Sequence, residues 1–252
     1  MHTTKEILER MEIKLRKGEE PPLSLTKESM LDSCRKTLAL RLTEMGWPPQ
    51  CQIPKRYLRK RLENLTAQSV EASRALTALS QGKSLLISGP CGVGKTHLAC
   101  ALGWEWLIQN IPTTSENAEI VRCSDGYASK LNFAASPSKW PQFLSAVEFF
   151  FAIKRCYGTD EDENEVLEKL RARSLLILDD LGAERVNEWS LQLLYLLLDR
   201  RYRDEKQTII TSNLTLAEIA ELDDRIASRI AEMGEVVNLG GPDRRVTQTK
   251  ES

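Results

Sequence analysis

Two hydrophobic spacings take turns along this chain. Short runs that are apolar throughout, or nearly so, occur at 85–88 (LLIS), 143–146 (FLSA), 175–178 (LLIL), 208–211 (TIIT) and 235–239 (EVVNL). Between them lie longer stretches with apolar residues at helical spacing, at 97–107, 147–157, 164–172, 188–203, 216–221 and 223–232. A strand covered on both faces reads as a continuous apolar run, whereas a helix on a sheet needs only one apolar stripe. The alternation of the two predicts a parallel sheet flanked by helices.

The N-terminal quarter follows another pattern. Thr3 and Glu6 have the spacing of a capping box, and Ile7, Leu8, Met11 and Leu15 then fall on one face of a helix over 3–17 that Gly18 ends. After Pro21-Pro22, a second helix over 26–45 lines up Leu31, Cys34, Leu38, Leu42 and Met45, and Gly46 stops it. Two such helices bury too little to fold alone, so they dock on the rest of the chain or on a partner protein. Trp47-Pro48-Pro49 forms a rigid link, and 53–65 carries five basic residues around Tyr57 before a helix over 67–79. The segment is either a phosphate contact or a lead-in to that helix. The stretch 111–141, with Pro112, Pro137 and Pro141, reads as an insertion. Within it 119–123 has strand character, but 143–146 is the better second strand of the sheet because a helix follows it directly. The organisation expected is an N-terminal helical region (1–50), a linker and lead-in helix (51–82), an α/β domain (83–245) and a loose tail (246–252).

Composition adds limits. The 252 residues are 41% hydrophobic and 28% charged, enough for a packed core and one appendage. No apolar run approaches a membrane span, the longest kind being that at 193–198, and the first residues lack a secretory apolar segment. Six cysteines without a Cys-x-x-Cys pair, beside only two histidines, argue against zinc and disulfides and fit a reducing cytoplasm. Net charge is −1, yet residues 1–61 hold 14 Lys/Arg against 8 Asp/Glu. That basic arm is either a nucleic-acid or acidic-partner contact or a solvated helical face.

The chemistry centres on Gly89, Pro90, Cys91, Gly92, Val93, Gly94, Lys95 and Thr96. Gly, four residues, Gly, Lys and Thr between a strand and a helix is the phosphate-binding loop pattern. Glycines let backbone N–H groups converge on a triphosphate, Lys95 reaches the β- and γ-phosphates, and Thr96 ligates Mg²⁺. With His97 these loop residues form the expected nucleotide-binding set. Asp179, at the end of the 175–178 strand, is placed to hold Mg²⁺ with Thr96, and Asp180 to orient and deprotonate the attacking water. Asn213, after the 208–211 strand, is the candidate for the γ-phosphate or that water. Arg225 and Arg229 share a helical face. They are either surface ion pairs or an arginine finger lent to a neighbouring subunit's nucleotide. No guanine-reading Asn-Lys-x-Asp motif is present, so ATP is the expected nucleotide.

The segments GPCGVGKTHLA, LLILDDLG, TIITSNL and DDRIASRI, in this order, resemble AAA+ ATPases of the DnaC-type replicative helicase loaders and their IstB-like relatives. The resemblance covers about residues 53–245. It implies a RecA-like parallel-sheet domain without a C-terminal helical lid, with Arg229 as the arginine finger and Arg245 or Arg244 as a second nucleotide sensor. It also implies single-stranded DNA binding through Tyr157 and Trp189, whose other reading is core packing or a helix-start anchor. The expected function is an ATP-dependent loader that binds ATP, Mg²⁺ and single-stranded DNA, self-associates through its ATPase domains and delivers a replicative helicase gripped by 1–50. An IstB-like helper of a transposase is the alternative, and a non-hydrolysing DNA-binding scaffold the second. Asp180 stands where many AAA+ enzymes have Glu, which implies slow, assembly-stimulated hydrolysis. The zinc-binding cysteine cluster of some loader N-domains is missing.

Overall fold

The computed structural model describes residues 14–15, 46–64, 69–110, 118–123, 126–131, 138, 140–157, 162–182 and 187–243. Among them the strands are β1 (Lys14–Leu15), β2 (Ser84–Ser88), β3 (Ala118–Cys123), β4 (Gly126–Leu131), β5 (Gln142–Ser145), β6 (Leu175–Leu181), β7 (Gln207–Ser212) and β8 (Gly234–Asn238). The helices are α1 (Ser69–Ser80), α2 (Lys95–Gln109), α3 (Ala146–Cys156), α4 (Glu163–Arg171), α5 (Glu188–Arg203), α6 (Leu216–Leu222) and α7 (Asp224–Met233).

The five apolar runs lie side by side in one parallel sheet of order β5-β6-β7-β2-β8. Residues along each strand alternate between two cores. Leu85, Ile87, Leu175, Ile177, Ile209 and Val237 face one side, where α1, α2 and the 46–64 segment supply Ala75, Leu98, Leu102, Leu107 and Trp47. Leu86, Leu176, Leu178 and Ile210 face the other, against Phe149, Ile153, Leu197, Leu198, Ile226 and Ile230 of α3, α5 and α7. A fully buried Leu or Ile contributes about 2 kcal/mol of transfer free energy, so both cores are needed to offset chain entropy. This is the doubly covered parallel sheet that the apolar runs predict.

Local chemistry starts the helices. Ser145 and Glu148 close a capping box on α3, Asn187 and Ser190 on α5, and Thr215 and Glu218 on α6. Asp223 caps α7 by accepting from the N–H groups of Arg225 and Ile226. Such caps satisfy amides that no helical carbonyl reaches, at about 1 kcal/mol each.

Two expectations change and one holds. Leu15 lies in β1, which runs parallel to β3, and not on a helical face. As expected, the strand of the main sheet is at 142–145, its edge, while the 119–123 run is also a strand that pairs antiparallel with β4 in a separate three-stranded sheet. The acidic pair does not follow β6 but lies inside it, where the register with β7 shifts between Leu178 and Leu181. The expected helix over 26–45, the rest of 3–17, Arg244, Arg245 and the tail 246–252 lie outside the described residues.

The basic segment packs directly onto α2. Trp47 meets Trp104 edge-on with ring centroids 5.4 Å apart, and the Arg61 guanidinium lies 3.6 Å from the Trp104 ring centroid. Cys51 is fully buried, and Gln142 Nε2 donates to Gln52 Oε1 at 3.0 Å. Among the described residues no helix is long and apolar enough to cross a membrane.

Candidate functional site

The site forms at the carboxyl ends of β2, β7 and β6, where a parallel α/β sheet opens toward ligand. The loop after β2 is held in place from outside. Gly89, at φ 147°, is so close to the C-terminal segment that a Cβ would run into the Leu239 carbonyl, and the Leu239 N–H donates to Ser88 O at 2.7 Å. Val93 is fully buried and Cys91 exposed. Gly94 is the N-cap of α2 with φ 107° and ψ 18°, a conformation costly for any side chain. It brings no capping side chain, and a helix N-terminus favours an anion there. Thr96 and His97 follow in the first turn, both half-buried.

Lys95 is only 7% exposed. Its Nζ donates to Gly89 O and Pro90 O, each at 2.8 Å, and to Asn213 Oδ1 at 2.6 Å. The ammonium is thus held over its own loop by neutral acceptors, none of which carries the negative charge that would complete an ion pair. The strand order brings Asn213 to this position. Because β7 separates β2 from β6, its end lies between the lysine and the acidic pair, and Asn213 Nδ2 reaches Asp180 Oδ1 at 3.5 Å.

The two aspartates have different environments. Asp179 is buried, and its carboxylate accepts from Thr211 Oγ1 at 2.6 Å and from the Thr96 hydroxyl. Burial pushes its pKa up; the two hydroxyls pull it down, Asp180 raises it and Lys95 lowers it, and burial prevails. Asp180 is exposed and left-handed, with φ 59°. Its N–H donates to Thr211 Oγ1 at 2.9 Å instead of continuing the ladder. A left-handed non-glycine residue costs on the order of 1 kcal/mol, less for Asp than for most. The bulge turns Asp180 out of the sheet toward Asn213. Thr211 therefore organises both aspartates. The sequence gives it no mark beyond its place two residues before Asn213.

Arg229 is not part of this cluster. It projects from α7, where Nε donates to Asp199 Oδ1 at 2.9 Å and Nη1 to Glu232 Oε2 at 2.8 Å. Arg225 pairs with Asp223 at 2.6 Å and stacks 5.0 Å from the Tyr195 ring centroid. Tyr157 and Trp189, distant in sequence, meet with ring centroids 6.2 Å apart, and Trp189 Nε1 donates to the Tyr157 hydroxyl at 3.1 Å. That hydroxyl donates to Glu163 at 2.8 Å, and the Lys154 ammonium lies 5.4 Å from the Trp189 ring centroid. Tyr157 is 58% exposed, which removes the core-packing reading for that ring. A cavity of about 150 Å³ beside them is lined by Val147, Phe151, Lys154 and Trp189, and Phe151 is 65% exposed.

Comparison with known proteins agrees with this architecture. Residues 141–252 match the family described as IstB-like ATP binding protein. A putative insertion sequence ATP-binding protein of Sinorhizobium fredii is 29% identical over 182 residues, which span 67% of this chain and 59% of that relative. The crystal structure of the DnaC helicase loader superposes with a TM-score of 0.53 at 26% identity, covering 74% of this chain and 100% of that one. A replication initiator DnaA bound to AMPPCP and single-stranded DNA shares the fold, with a TM-score of 0.53 at 23% identity over 79% of this chain and 54% of that one. The chain thus has the AAA+ P-loop fold that it shares with the DnaC helicase loader, and its residues 141–252 are similar to the IstB-like ATP-binding family.

Proposed function

We propose that this protein is an ATPase that assembles on single-stranded DNA and delivers a replicative helicase. The observation that carries the DNA part is the exposed Tyr157–Trp189 pair with Lys154 against it. Aromatic faces stack on bases without regard to sequence and a lysine neutralises backbone phosphate. Residues 1–50 are the helicase-binding region in this reading.

The site residues divide the work of hydrolysis. Loop amides from Gly92 to Thr96 and the N-terminus of α2 bind the β- and γ-phosphates, with Lys95 turning from its loop carbonyls to the phosphate oxygens. His97 flanks them, and Arg245 or Arg244 acts as the second sensor. Asp180 accepts a proton from water while that water's oxygen bonds to the γ-phosphorus. The bond from the γ-phosphorus to the β–γ bridging oxygen breaks, leaving ADP and phosphate. Asn213 aligns the water between Asp180 and Lys95. Arg229 of a neighbouring copy stabilises charge on the transferring phosphoryl group, so turnover depends on assembly.

The buried Asp179 carboxylate, with a threonine hydroxyl already bonded to it, fits Mg²⁺, which takes one or two carboxylates and completes its shell with phosphate oxygens and water. Thr96 and Asp179 would hold the ion, whose contribution is to neutralise phosphate charge.

Hydrolysis measured with and without a single-stranded oligonucleotide tests the reading. Turnover should rise several-fold with DNA, fall at least about a hundredfold in Asp180→Asn with ATP binding kept, and lose its DNA response in Trp189→Ala. Turnover that is absent and unaffected by Asp180→Asn would leave an ATP-bound DNA scaffold. A second reading, a helper of a transposase, draws on the IstB-like match and the insertion-sequence relative. Preference for duplex over single-stranded DNA, with transposase in place of helicase captured by the full chain, would favour it.

A further inference from the structure

Asp199 lies on α5 and is 3% exposed. A carboxylate this deep is expensive unless both oxygens are paired with cations. Here Oδ1 accepts from Arg229 Nε at 2.9 Å, and Oδ2 accepts from Nη2 of Arg203, one helical turn further along α5. The two arginines are unlike in exposure. The Arg203 side chain is 71% exposed and that of Arg229 27%. Arg229 is also held by Glu232 through Nη1 and by the Tyr202 ring, whose centroid lies 4.7 Å from its guanidinium carbon.

The hydrophobic face of α7, with Ile226, Ala227 and Ile230 buried, fixes the helix against the sheet. It does not fix a side chain as long as arginine, which carries about 2 kcal/mol of rotamer entropy. The ion pair to a buried, immobile carboxylate does. It removes that freedom before any neighbour arrives and sets which edge of the guanidinium is turned inward. Charge transferred in a reaction is stabilised most by donors that need no reorganisation when it develops.

We propose that Asp199 is the positioning residue for Arg229, presetting the guanidinium that one copy of this chain offers to the nucleotide of the next. This rests on the reading of Arg229 as a trans-acting group. Arg203 is a second counter-ion, on the other oxygen of the carboxylate. It is not itself needed at the neighbouring site. Asp199 acts through Arg229 and touches no substrate, so its loss should lower the rate constant and leave ATP binding alone.

A subunit-mixing experiment on the full chain separates these roles. Arg229→Ala supplies subunits that bind ATP but offer no finger; Lys95→Ala supplies subunits that offer a finger but bind no ATP. Mixed on a single-stranded oligonucleotide, the two should regain turnover that neither shows alone. Adding Asp199→Asn to the Lys95→Ala donor should cut the regained kcat at least about tenfold with the KM for ATP unchanged, as expected for a misplaced catalytic group. Adding Arg203→Gln instead should leave it within about twofold, although the same carboxylate loses one ion pair. Asp199→Asn alone should bind a fluorescent ATP analogue like the unmodified chain, which establishes that it folds. Should it fail to fold, Asp199→Glu, which keeps the charge and moves it by a methylene, takes its place in the donor with the same expectation. Undiminished rescue by the altered donor, or equal loss with Arg203→Gln, overturns the positioning role. Absence of rescue by the Lys95→Ala donor itself overturns the reading of Arg229, and the proposal with it.

Discussion

At the start of β7, Gln207 and Thr208 are bonded entirely into the protein; at the far end of the same strand, Thr211 and Asn213 hold groups ready for something else. Gln207 Nε2 donates to Leu79 O at 2.7 Å and Lys83 O at 3.1 Å, and its Oε1 accepts from Trp106 Nε1 at 2.7 Å. Arg201 is fully buried there. Its Nε donates to Thr208 Oγ1 at 2.9 Å, Nη1 to the carbonyls of Leu170, Arg171 and Arg173, and Nη2 to Gln207 O. One guanidinium thus closes the carbonyl end of α4 and ties it to the sheet, where cations at a helix C-terminus are favoured. Burial pulls the pKa of this arginine down, to about 9, which still leaves it charged at neutral pH. At the opposite end Lys95 is nearly as buried, and it donates to two loop carbonyls and the Asn213 side-chain amide. Two buried cations in one fold therefore serve opposite ends. One satisfies the protein's own carbonyls; the other, in the function we propose, binds phosphate.

The sharpest test exchanges their expected losses. Arg201→Leu leaves several buried carbonyls without a donor and should cost about 3–5 kcal/mol of stability, read by denaturant unfolding. Where the variant remains folded at low temperature, it should bind ATP normally. Lys95→Ala should weaken ATP binding about a hundredfold or more, by titration with a fluorescent analogue, and leave the unfolding midpoint near that of the original chain. If Arg201→Leu instead impaired nucleotide binding while sparing stability, the division between the two ends would be wrong.

A smaller effect tests the cost of readiness. The raised pKa of Asp179 means that the folded state resists its ionisation, with burial as the main cause. For such an acid, the folded protein binds more protons than the unfolded chain between the ordinary aspartate value and the raised one. Stability therefore falls as the pH rises through that window, and the penalty is complete above it. Asp179→Asn should remove the penalty, so it should melt higher than the original chain at pH 7, with the advantage fading toward acid. The same variant should lose Mg²⁺-dependent turnover by about a hundredfold. In the original chain, Mg²⁺-dependent nucleotide affinity should drop as the pH falls through the window, since protonation displaces the cation.

The ease of reading each end from sequence differs for a physical reason. The loop glycines with Lys95 form one contiguous run and the acidic pair another, and each borders an apolar run, so local spacing suffices to find them. The bulge at Asp180 is not local. It arises because the Thr211 hydroxyl on the adjacent strand captures the Asp180 N–H, and no residue near Asp180 announces it. The hairpin in the 111–141 stretch was hidden similarly, since Gly126–Leu131 mixes polar and apolar residues without a clean period. Arg201 and Asp199 lie in the run LLLDRRYR, where residue type alone does not set them apart from the other charges. The available signal was position. Leu194, Leu197 and Leu198 share a helical face with Arg201, and that face is buried.

The smallest expected effect makes the finest comparison, because it uses one substitution at two places on one strand. Thr208→Val and Thr211→Val each delete a buried hydroxyl and keep nearly the same shape. Thr208 accepts from Arg201, which retains its other carbonyl partners. Thr211 donates to Asp179 and accepts from the Asp180 N–H. Each loss should cost about 1 kcal/mol of stability, the net worth of an ordinary intramolecular hydrogen bond. Only Thr211→Val should also change turnover, by about tenfold. Without the hydroxyl, nothing ties the left-handed Asp180 to β7 at that point, and a group displaced by a fraction of an ångström aligns water poorly. Equal turnover in the two variants would mean that the bulge is held by strand geometry alone and that Thr211 is simply a second structural threonine.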